Sequence, residues 1–188
     1  NSESSLIYPE KFTGDKRAVR LSGEGYFEVA RDEKKPFIVS VTDMEIKVLG
    51  TKVNVTAYQD EKMTTTTLIS GAVEVVTPHR SVQLQPGKQA MVQEGGDDIT
   101  VLEVDVELAT SWTAGIFKFD KMALTDICTR LSRWYDIDFV FEGETGKEKF
   151  TGGTWKYVPL KDFLSKIERV TNVLFLFENN TVKVVPKK

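Results

Sequence analysis

"FKFDKMALTDICTRLSRWYDIDFVFE" (residues 117–142) and "TWKYVPLKDFLSKIERVTNVLFLFE" (residues 154–178) are two copies of one pattern. An offset of 36 residues, without a gap, aligns six identical residues, and upstream it also aligns Phe119 with Trp155. The identical pairs are Leu124 and Leu160, Asp126 and Asp162, Arg133 and Arg169, Phe139 and Phe175, Phe141 and Phe177, and Glu142 and Glu178. In each copy, apolar residues at helical spacing precede a strand-like run with alternating aromatic residues. The two stretches therefore predict tandem strand–helix–strand units.

With the final strand "TVKVV", the two units predict a small α/β domain of order βαβ-βαββ. Neither unit buries its helix alone, so we expect both helices to pack together on one small sheet. The predicted helix faces are Leu124, Ile127, Cys128, Leu131 and Trp134 in the first unit, and Leu160, Phe163, Leu164, Ile167 and Val170 in the second. We expect Phe139, Phe141, Phe175 and Phe177 to complete the core. The end "TVKVVPKK" has the lysines and proline of a protected sheet edge.

Residues 12–105 predict a different architecture, because about ten short runs rich in β-branched or aromatic residues follow one another there. Clusters of Gly, Pro or Asp separate most of these runs, as Ser22–Gly23 separates "AVRL" from "GYFEVA", and no helical period competes with them. This pattern is typical of an all-β sandwich, roll or barrel-like domain. The chain is therefore expected to have two domains, all-β (12–105) and α/β (115–188), with an N-terminal tail (1–11) and a linker (106–114).

Composition and charge exclude several classes of function. The 188 residues carry a net charge of −3 and no basic stripe, so nucleic acid is not an expected partner. The sequence has one cysteine, Cys128, on a predicted apolar helix face, and one histidine, His79, in a polar turn. No metal-ligand spacing, nucleotide-binding loop or catalytic triad pattern is present. We therefore expect no catalytic, cofactor-binding or metal-binding residues, and a binding module rather than an enzyme.

A carbohydrate-binding or other extracytoplasmic interaction module is the alternative interpretation of these residues. The run "TTTT" (64–67) predicts either a strand with threonines on both faces or an exposed glycan-binding surface. Three tryptophans, Trp112, Trp134 and Trp155, could stack on sugars, although Trp134 falls on the apolar face of the first helix.

Four motifs in order resemble the FecR family, periplasmic parts of anti-sigma regulators in Gram-negative bacteria. They are "LSGEGYFEVARDEKKPFIV", "VLGTKVNVTAY", "TTLISGAVEV" and "LQPGKQAMV", within residues 12–105. Residues 115–188 are similar to the C-terminal domain of many members, which resembles the short N-terminal signalling domain of TonB-dependent receptors and secretins. The predicted tandem units agree with that fold.

The resemblance implies a periplasmic sensor that receives a signal from an outer-membrane TonB-dependent transducer and controls an extracytoplasmic-function sigma factor. In the family, a cytoplasmic segment binds the sigma factor and a single inner-membrane helix follows it. Neither is present in this sequence, so we expect the sensor half of such a regulator, anchored in the inner membrane only through missing segments. The receptor's signalling domain is expected to dock either on an edge of the repeat domain or on the β domain, with the repeat domain as an internal mimic.

The pair Gly50–Thr51 within "VLGTKVNVTAY" admits two interpretations. In the simpler one, Gly50 forms a turn or bulge and Thr51 begins the next strand, with Val53, Val55 and Ala57 on one face. Some family members cleave themselves at such a Gly-Thr pair, so the resemblance makes this pair a candidate self-cleavage bond. That chemistry needs a strained peptide and a proton acceptor, and only Lys52 adjoins the pair.

Overall fold

The computed structural model describes residues 1–42 and 44–187. Contacts between Cα atoms divide the chain into two compact units, Asn1–Thr110 (unit 1) and Ser111–Lys188 (unit 2). The chain is mostly β structure. Within the described ranges, no helix has both the length and the apolar character needed to cross a membrane.

In the described part of unit 1, ten strands form one continuous sheet. They are β1 (Ser5–Ile7), β2 (Arg17–Val29), β3 (Phe37–Val41), β4 (Met44–Val48), β5 (Thr51–Ala57), β6 (Met63–Ser70), β7 (Val73–Val76), β8 (Ser81–Leu84), β9 (Lys88–Gln93) and β10 (Ile99–Glu103). Their spatial order is β10-β9-β6-β5-β2-β3-β4-β7-β8, with β1 beside β2. The expected tail therefore contains a strand, β1.

Strand β2 was expected as two strands separated at Ser22–Gly23, and that expectation is wrong. Its residues 17–20 pair in parallel with β3, and its residues 23–29 pair antiparallel with β5. Gly23 lets the strand change direction without ending, because its φ of 95° is a conformation that glycine adopts readily and other residues rarely adopt. A side chain would also clash there, since a Cβ would lie 2.4 Å from the Ser4 hydroxyl oxygen. Strand β2 thus joins a first half of the sheet (β3, β4, β7, β8) to a second half (β5, β6, β9, β10).

One hydrophobic core lies between the two halves, and both contribute alternate residues to it. The face expected for β5 is correct, because Val53 and Val55 are fully buried and Ala57 is nearly so. The sheet almost closes on itself, since its terminal strands β10 and β8 approach each other. The Thr77 hydroxyl helps to close the gap by donating a hydrogen bond to the Asp97 carbonyl oxygen, at 3.2 Å. Unit 1 is therefore a near-barrel.

Residues 106–114, the expected linker, are helical. Helix α1 (Val106–Thr110) ends unit 1, and a 3₁₀ helix (Ser111–Ala114) begins unit 2. The Asp105 carboxylate accepts hydrogen bonds from the backbone N–H groups of Glu107 and Leu108, at 2.9 and 3.3 Å. This side-chain cap satisfies two of the N–H groups that a helix start leaves unpaired.

Unit 2 continues with five strands and two helices within its described residues. They are β11 (Ile116–Ala123), α2 (Leu124–Tyr135), β12 (Asp138–Phe141), β13 (Lys149–Trp155), α3 (Leu160–Glu168), β14 (Val173–Glu178) and β15 (Thr181–Pro186). This element order is the one that the tandem repeat suggested. The expected single sheet is wrong, however: β11 pairs with β13 in one sheet, and β12, β15 and β14 form another. One core cluster contains residues of both sheets and both helices, so the two sheets and the two helices share one core.

Three smaller expectations for unit 2 are also wrong. Strand β15 is not an edge, because it lies between β12 and β14, and Val182 and Val184 are fully buried. Helix α3 ends at Glu168, where the Lys187 ammonium donates hydrogen bonds to the carbonyls of Glu168 and Thr171, so Val170 falls beyond the helix and is exposed. Phe177 is 43% exposed, outside the core cluster, because it lies at the end of β14 next to a turn.

Candidate functional site

The pair Gly50–Thr51 connects the two halves of the unit 1 sheet. Strand β4 pairs with β3 and β7, whereas β5 pairs with β2 and β6, so the two strands that the pair connects are not neighbours. The connection is a crossover rather than a hairpin turn. Strand β6 carries a bulge next to it, because the register shifts between Lys52 and Val53.

Gly50 occupies a backbone position that only glycine tolerates. Its φ is 142°, which L side chains rarely adopt, and a Cβ there would lie 2.5 Å from the Arg31 Cβ and 2.7 Å from the Arg31 Cα. The neighbouring backbone is fixed by the Asp32 N–H, which donates a hydrogen bond of 3.2 Å to the Leu49 carbonyl oxygen. The peptide before Thr51 is therefore packed closely against the chain that follows β2.

Thr51 points its hydroxyl into the protein. The residue is 4% exposed, and its hydroxyl donates a hydrogen bond of 2.8 Å to the Ala72 carbonyl oxygen. Gly71 packs against the pair without a clash because it has no side chain; a Cβ on it would lie 2.5 Å from the Gly50 carbonyl oxygen. A carbonyl oxygen accepts a hydrogen bond but does not remove a proton at neutral pH, so the observed partner orients the hydroxyl without activating it.

Lys52, the one ionisable residue next to the pair in sequence, forms a salt bridge with Glu28. Its ammonium lies 3.1 Å from the Glu28 carboxylate, and that hydrogen bond, together with the negative charge of Glu28, raises the pKa of Lys52 above its ordinary value. Lys52 therefore stays protonated at neutral pH and does not act as a base. A cavity of about 400 Å³, lined among others by Glu28, Arg31 and Thr51, lies beside the pair and gives water access to it.

Cys128 and His79 occupy unlike environments. Cys128 is fully buried in the unit 2 core, and burial raises the pKa of its thiol well above the ordinary range, so it does not form a thiolate at neutral pH. His79 is exposed, and its Nε2 lies 3.7 Å from an Asp97 carboxylate oxygen. Among the described residues, no three His, Cys, Asp or Glu side chains converge as metal ligands would.

The threonine run lies in strand β6, and its burial limits any sugar-binding role. Thr66 and Thr67 are buried, and Thr67 accepts a hydrogen bond of 2.7 Å from the Gln89 amide. Trp134 packs on Phe117 of the core at 5.6 Å between ring centroids, as its place on the helix face predicted. Trp155, by contrast, is 46% exposed and stacks on the exposed Tyr157 at 5.8 Å.

The open edges of the three-stranded sheet in unit 2 are strands β12 and β14. Leu174 and Leu176 of β14 and Val140 of β12 are exposed, on the face opposite the buried Val173 and Phe175. In the middle of this exposed face, the Lys183 ammonium lies 2.7 Å from the Glu178 carboxylate, which raises the pKa of Lys183. An apolar sheet edge of this kind accepts a partner strand more readily than the protected edge expected at β15.

Comparisons with known proteins place the two units in one family. The sequence matches the family model "FecR protein" over residues 1–74 and "FecR, C-terminal" over residues 116–184. The first match ends before the motif "LQPGKQAMV" (84–92), so residues 75–105 of the expected FecR-like region lie outside it. No curated protein matches the chain.

Two crystal structures of a "putative anti-sigma factor" from Parabacteroides distasonis ATCC 8503 are similar to the whole chain. Their TM-scores are 0.90 and 0.89, each with 28% sequence identity. Both matches cover 100% of this chain, and they cover 89% and 88% of the respective crystallised chains. With both FecR models matched in order and this similarity along the chain, the protein belongs to the FecR family of regulators, which is not known for enzymatic activity.

Proposed function

We propose that this chain is the periplasmic sensor part of a transmembrane anti-sigma regulator. It would receive a signal from an outer-membrane TonB-dependent transducer and control an extracytoplasmic-function sigma factor. The succession of both FecR models on one chain is the observation that carries this proposal. The similarity to the Parabacteroides distasonis structures supports the anti-sigma role.

In this proposal the chain acts outside the cytoplasm and contacts the sigma factor only through a segment beyond this sequence. FecR-family regulators are typically anchored in the inner membrane with a periplasmic region. Docking of the transducer's signalling domain would be transmitted toward the membrane and lead to stepwise proteolysis that frees the sigma factor. The domain limits that we propose for these roles are residues 12–105 and 115–188.

For the docking surface, the exposed edge of β14 is the stronger candidate. Leu174 and Leu176 are apolar and exposed there. An added strand would pair with the outer backbone groups of β14 and would displace the Glu168 carboxylate, which accepts a hydrogen bond of 2.7 Å from the Phe175 N–H. The alternative is a surface of unit 1, where β10 forms one end of the sheet and exposes Val101 and Leu102.

A titration with the isolated signalling domain of the cognate receptor tests both the function and the surface. We expect binding that Leu176→Lys weakens at least tenfold, while the matched variant Leu102→Lys in β10 leaves it unchanged. The reverse pattern would assign docking to unit 1. Tighter binding after deletion of residues 115–188 would support a repeat domain that acts as an internal mimic. No binding at high micromolar concentrations would reject the proposed function.

The Gly50–Thr51 bond remains our proposed self-cleavage site. The Thr51 oxygen would attack the Gly50 carbonyl carbon, the amide nitrogen would leave with a proton, and water would hydrolyse the resulting ester. The left-handed φ of Gly50 and the adjoining cavity support this step. The hydrogen bond from Thr51 to Ala72 and the protonated state of Lys52 oppose it.

Mass spectrometry of freshly expressed, denatured protein decides between cleavage and a purely structural crossover. If the bond is cut, we expect two fragments in the wild type, fragments again in Thr51→Ser, and one intact species in Thr51→Ala. The exposed Thr100→Ala is the matched control and should behave as the wild type. A single intact species in every variant would leave only the structural role.

A glycan-binding module is the second candidate, and the exposed Trp155–Tyr157 pair favours it. The two rings are stacked and nearly parallel, with 21° between their planes, and an outer ring face of such a pair is a flat apolar surface of the type that sugar rings stack on. A glycan array with the wild type and Tyr157→Ala tests this candidate. Binding to a defined glycan that the variant loses would support it, and an array without signal would exclude it.

A further inference from the structure

A cavity of about 620 Å³ opens between the two halves of the unit 1 sheet. Its volume lies within the range of about 300–1,000 Å³ that is typical of ligand pockets. The lining belongs entirely to unit 1 and includes buried apolar side chains from different strands and one turn. These buried lining residues are Leu21, Met44, Ala57, Tyr58 and Val92. The cavity is separate from the Gly50–Thr51 crossover, because the two share no lining residue.

Opposite charges line this cavity from the two halves of the sheet. Arg20 lies on the part of β2 that pairs with β3 in the first half, and Glu94 follows β9 in the second half. Both residues are exposed, and neither has an ion-pair partner among the described residues. A third charged residue, Glu61, also lines the cavity, but it already has a contact within the protein. Unpaired charges of opposite sign at one cavity suit a ligand that itself carries both an anionic and a cationic group.

Strand β1 adds an unused backbone edge to the same cavity. It pairs only with β2 among the described strands, and Ser5 and Ile7 line the cavity. Ile7 is 67% exposed although it is a large apolar residue. A ligand with peptide groups could hydrogen-bond along this edge while its side chains cover Ile7.

The turn between β3 and β4 contributes a strained residue to the cavity wall. Thr42 has a φ of 40°, and a β-branched residue in this left-handed region is a backbone outlier. Gly95 and Gly96 line the cavity from the loop after β9, where the absence of side chains leaves space for a bound chain.

From these features we propose that the cavity binds a short linear peptide with free termini. The peptide's carboxylate pairs with Arg20, and its ammonium group pairs with Glu94. Its apolar side chains cover Met44, Val92 and Ile7. A purely apolar ligand would not contact the charges of Arg20 and Glu94, and a single ion would leave the apolar side chains of the cavity exposed to water. Peptide binding at this cavity does not require receptor docking, so a failure of one proposal would leave the other unaffected.

Trileucine is a suitable probe, because it carries both termini and three apolar side chains. We expect it to shift the backbone amide signals of Ile7, Gly95 and Gly96 in two-dimensional NMR spectra of the whole chain. Two matched peptides separate the contributions. N-acetyl-trileucine amide removes both charges, triglycine removes the apolar side chains, and each should bind at least tenfold more weakly than trileucine.

Charge-neutralising variants test the two polar contacts. Arg20→Gln and Glu94→Gln should each weaken trileucine binding about tenfold, because each removes one charge-assisted contact worth about 1.4 kcal/mol. Arg130→Gln and Glu148→Gln neutralise exposed charges in unit 2 and should leave the affinity unchanged. All four positions are exposed, so the variants should fold, which circular dichroism verifies.

Three results would overturn the proposal. One is the absence of amide shifts around the cavity at millimolar trileucine. Another is equal affinity for trileucine and its capped form, because the charges of Arg20 and Glu94 would then contribute nothing. Shifts that map to unit 2 instead would also contradict it.

Discussion

Unit 1 builds its core from aliphatic strand residues, whereas unit 2 builds its core from two helices and several aromatic rings. The pairing in unit 1 is largely non-local, since β2 joins strands from both halves of its sheet. In unit 2 the pattern comes from one local unit that occurs twice. All three tryptophans, Trp112, Trp134 and Trp155, lie in unit 2, so their fluorescence reports on unit 2 alone. The contrast shows that a repeat in sequence reveals the order of helices and strands but not which strands pair, and it makes the stability of each unit separately measurable.

The largest expected effect comes from the unit 2 core. Leu131 is fully buried on α2, so Leu131→Ala should lower the free energy of unfolding of unit 2 by about 2–5 kcal/mol, through lost burial and a cavity. Urea unfolding followed by tryptophan fluorescence measures this loss. The NMR amide signals of the buried residues Val53 and Val55 in β5 follow unit 1 in parallel. An equal shift in the unit 1 signal would mean that the units unfold as one body, and the contrast between them would break down.

A somewhat smaller effect is expected at the crossover of unit 1. Gly50→Ala places a Cβ against Arg31 in a backbone conformation that alanine rarely adopts, and should destabilise unit 1 by about 1–3 kcal/mol. Gly87→Ala is the matched control, because Gly87 also has a positive φ, of 84°, but a Cβ there meets no atom within 4 Å. Urea unfolding followed by circular dichroism should show a larger loss for Gly50→Ala. Equal losses would rule out the close contact with Arg31 as a cause.

A stabilising change is expected inside the near-barrel. The Thr66 hydroxyl is buried without a hydrogen-bond partner among the described residues, so Thr66→Val should raise the free energy of unfolding by about 1 kcal/mol. Thr67→Val, one residue along the same strand, should lower it by about 0.5–1.5 kcal/mol, because it removes the hydrogen bond from Gln89. The thermal midpoints of the two variants should therefore move in opposite directions. Destabilisation by both would show that the Thr66 hydroxyl has a partner.

The smallest effect is expected on the exposed face of the unit 2 sheet. Leu176 is 46% exposed on β14, so Leu176→Ser should change the free energy of unfolding by less than about 0.5 kcal/mol. Fluorescence-detected urea unfolding measures it. A loss comparable to that of Leu131→Ala would mean that this face is covered in solution, and would argue against its use for docking.

Much of the local structure could be predicted from the sequence, because it depends on spacing along the chain. The buried face of α2, the alternation of Val53, Val55 and Ala57, and the order of elements in unit 2 are of this kind. The continuity of β2 and the central place of β15 were missed. Both depend on which strands become neighbours in space, and alternation along one strand carries no information about its partners.

The candidate site was predictable only in part. A glycine before the first residue of a predicted strand suggested special backbone geometry at Gly50, and the structure has it. The hydrogen bond from Thr51 to Ala72 could not be anticipated, because the two residues meet only after the chain crosses between the halves of the sheet. The cavity beside Arg20 and Glu94 was missed for the same reason, since its lining residues are spread from β1 to the loop after β9.

The crossover at Gly50–Thr51 also determines what a cut there would do mechanically. The pieces before and after the bond would remain paired through seven residue pairs between β2 and β5 and four between β4 and β7. Cleavage would thus turn one folded unit into a two-chain complex of unchanged shape, and a native gel would not reveal it. The two fragments would then separate only by slow dissociation or when a pulling force acts along the chain. A cut at the crossover would therefore make the release of one fragment depend on force.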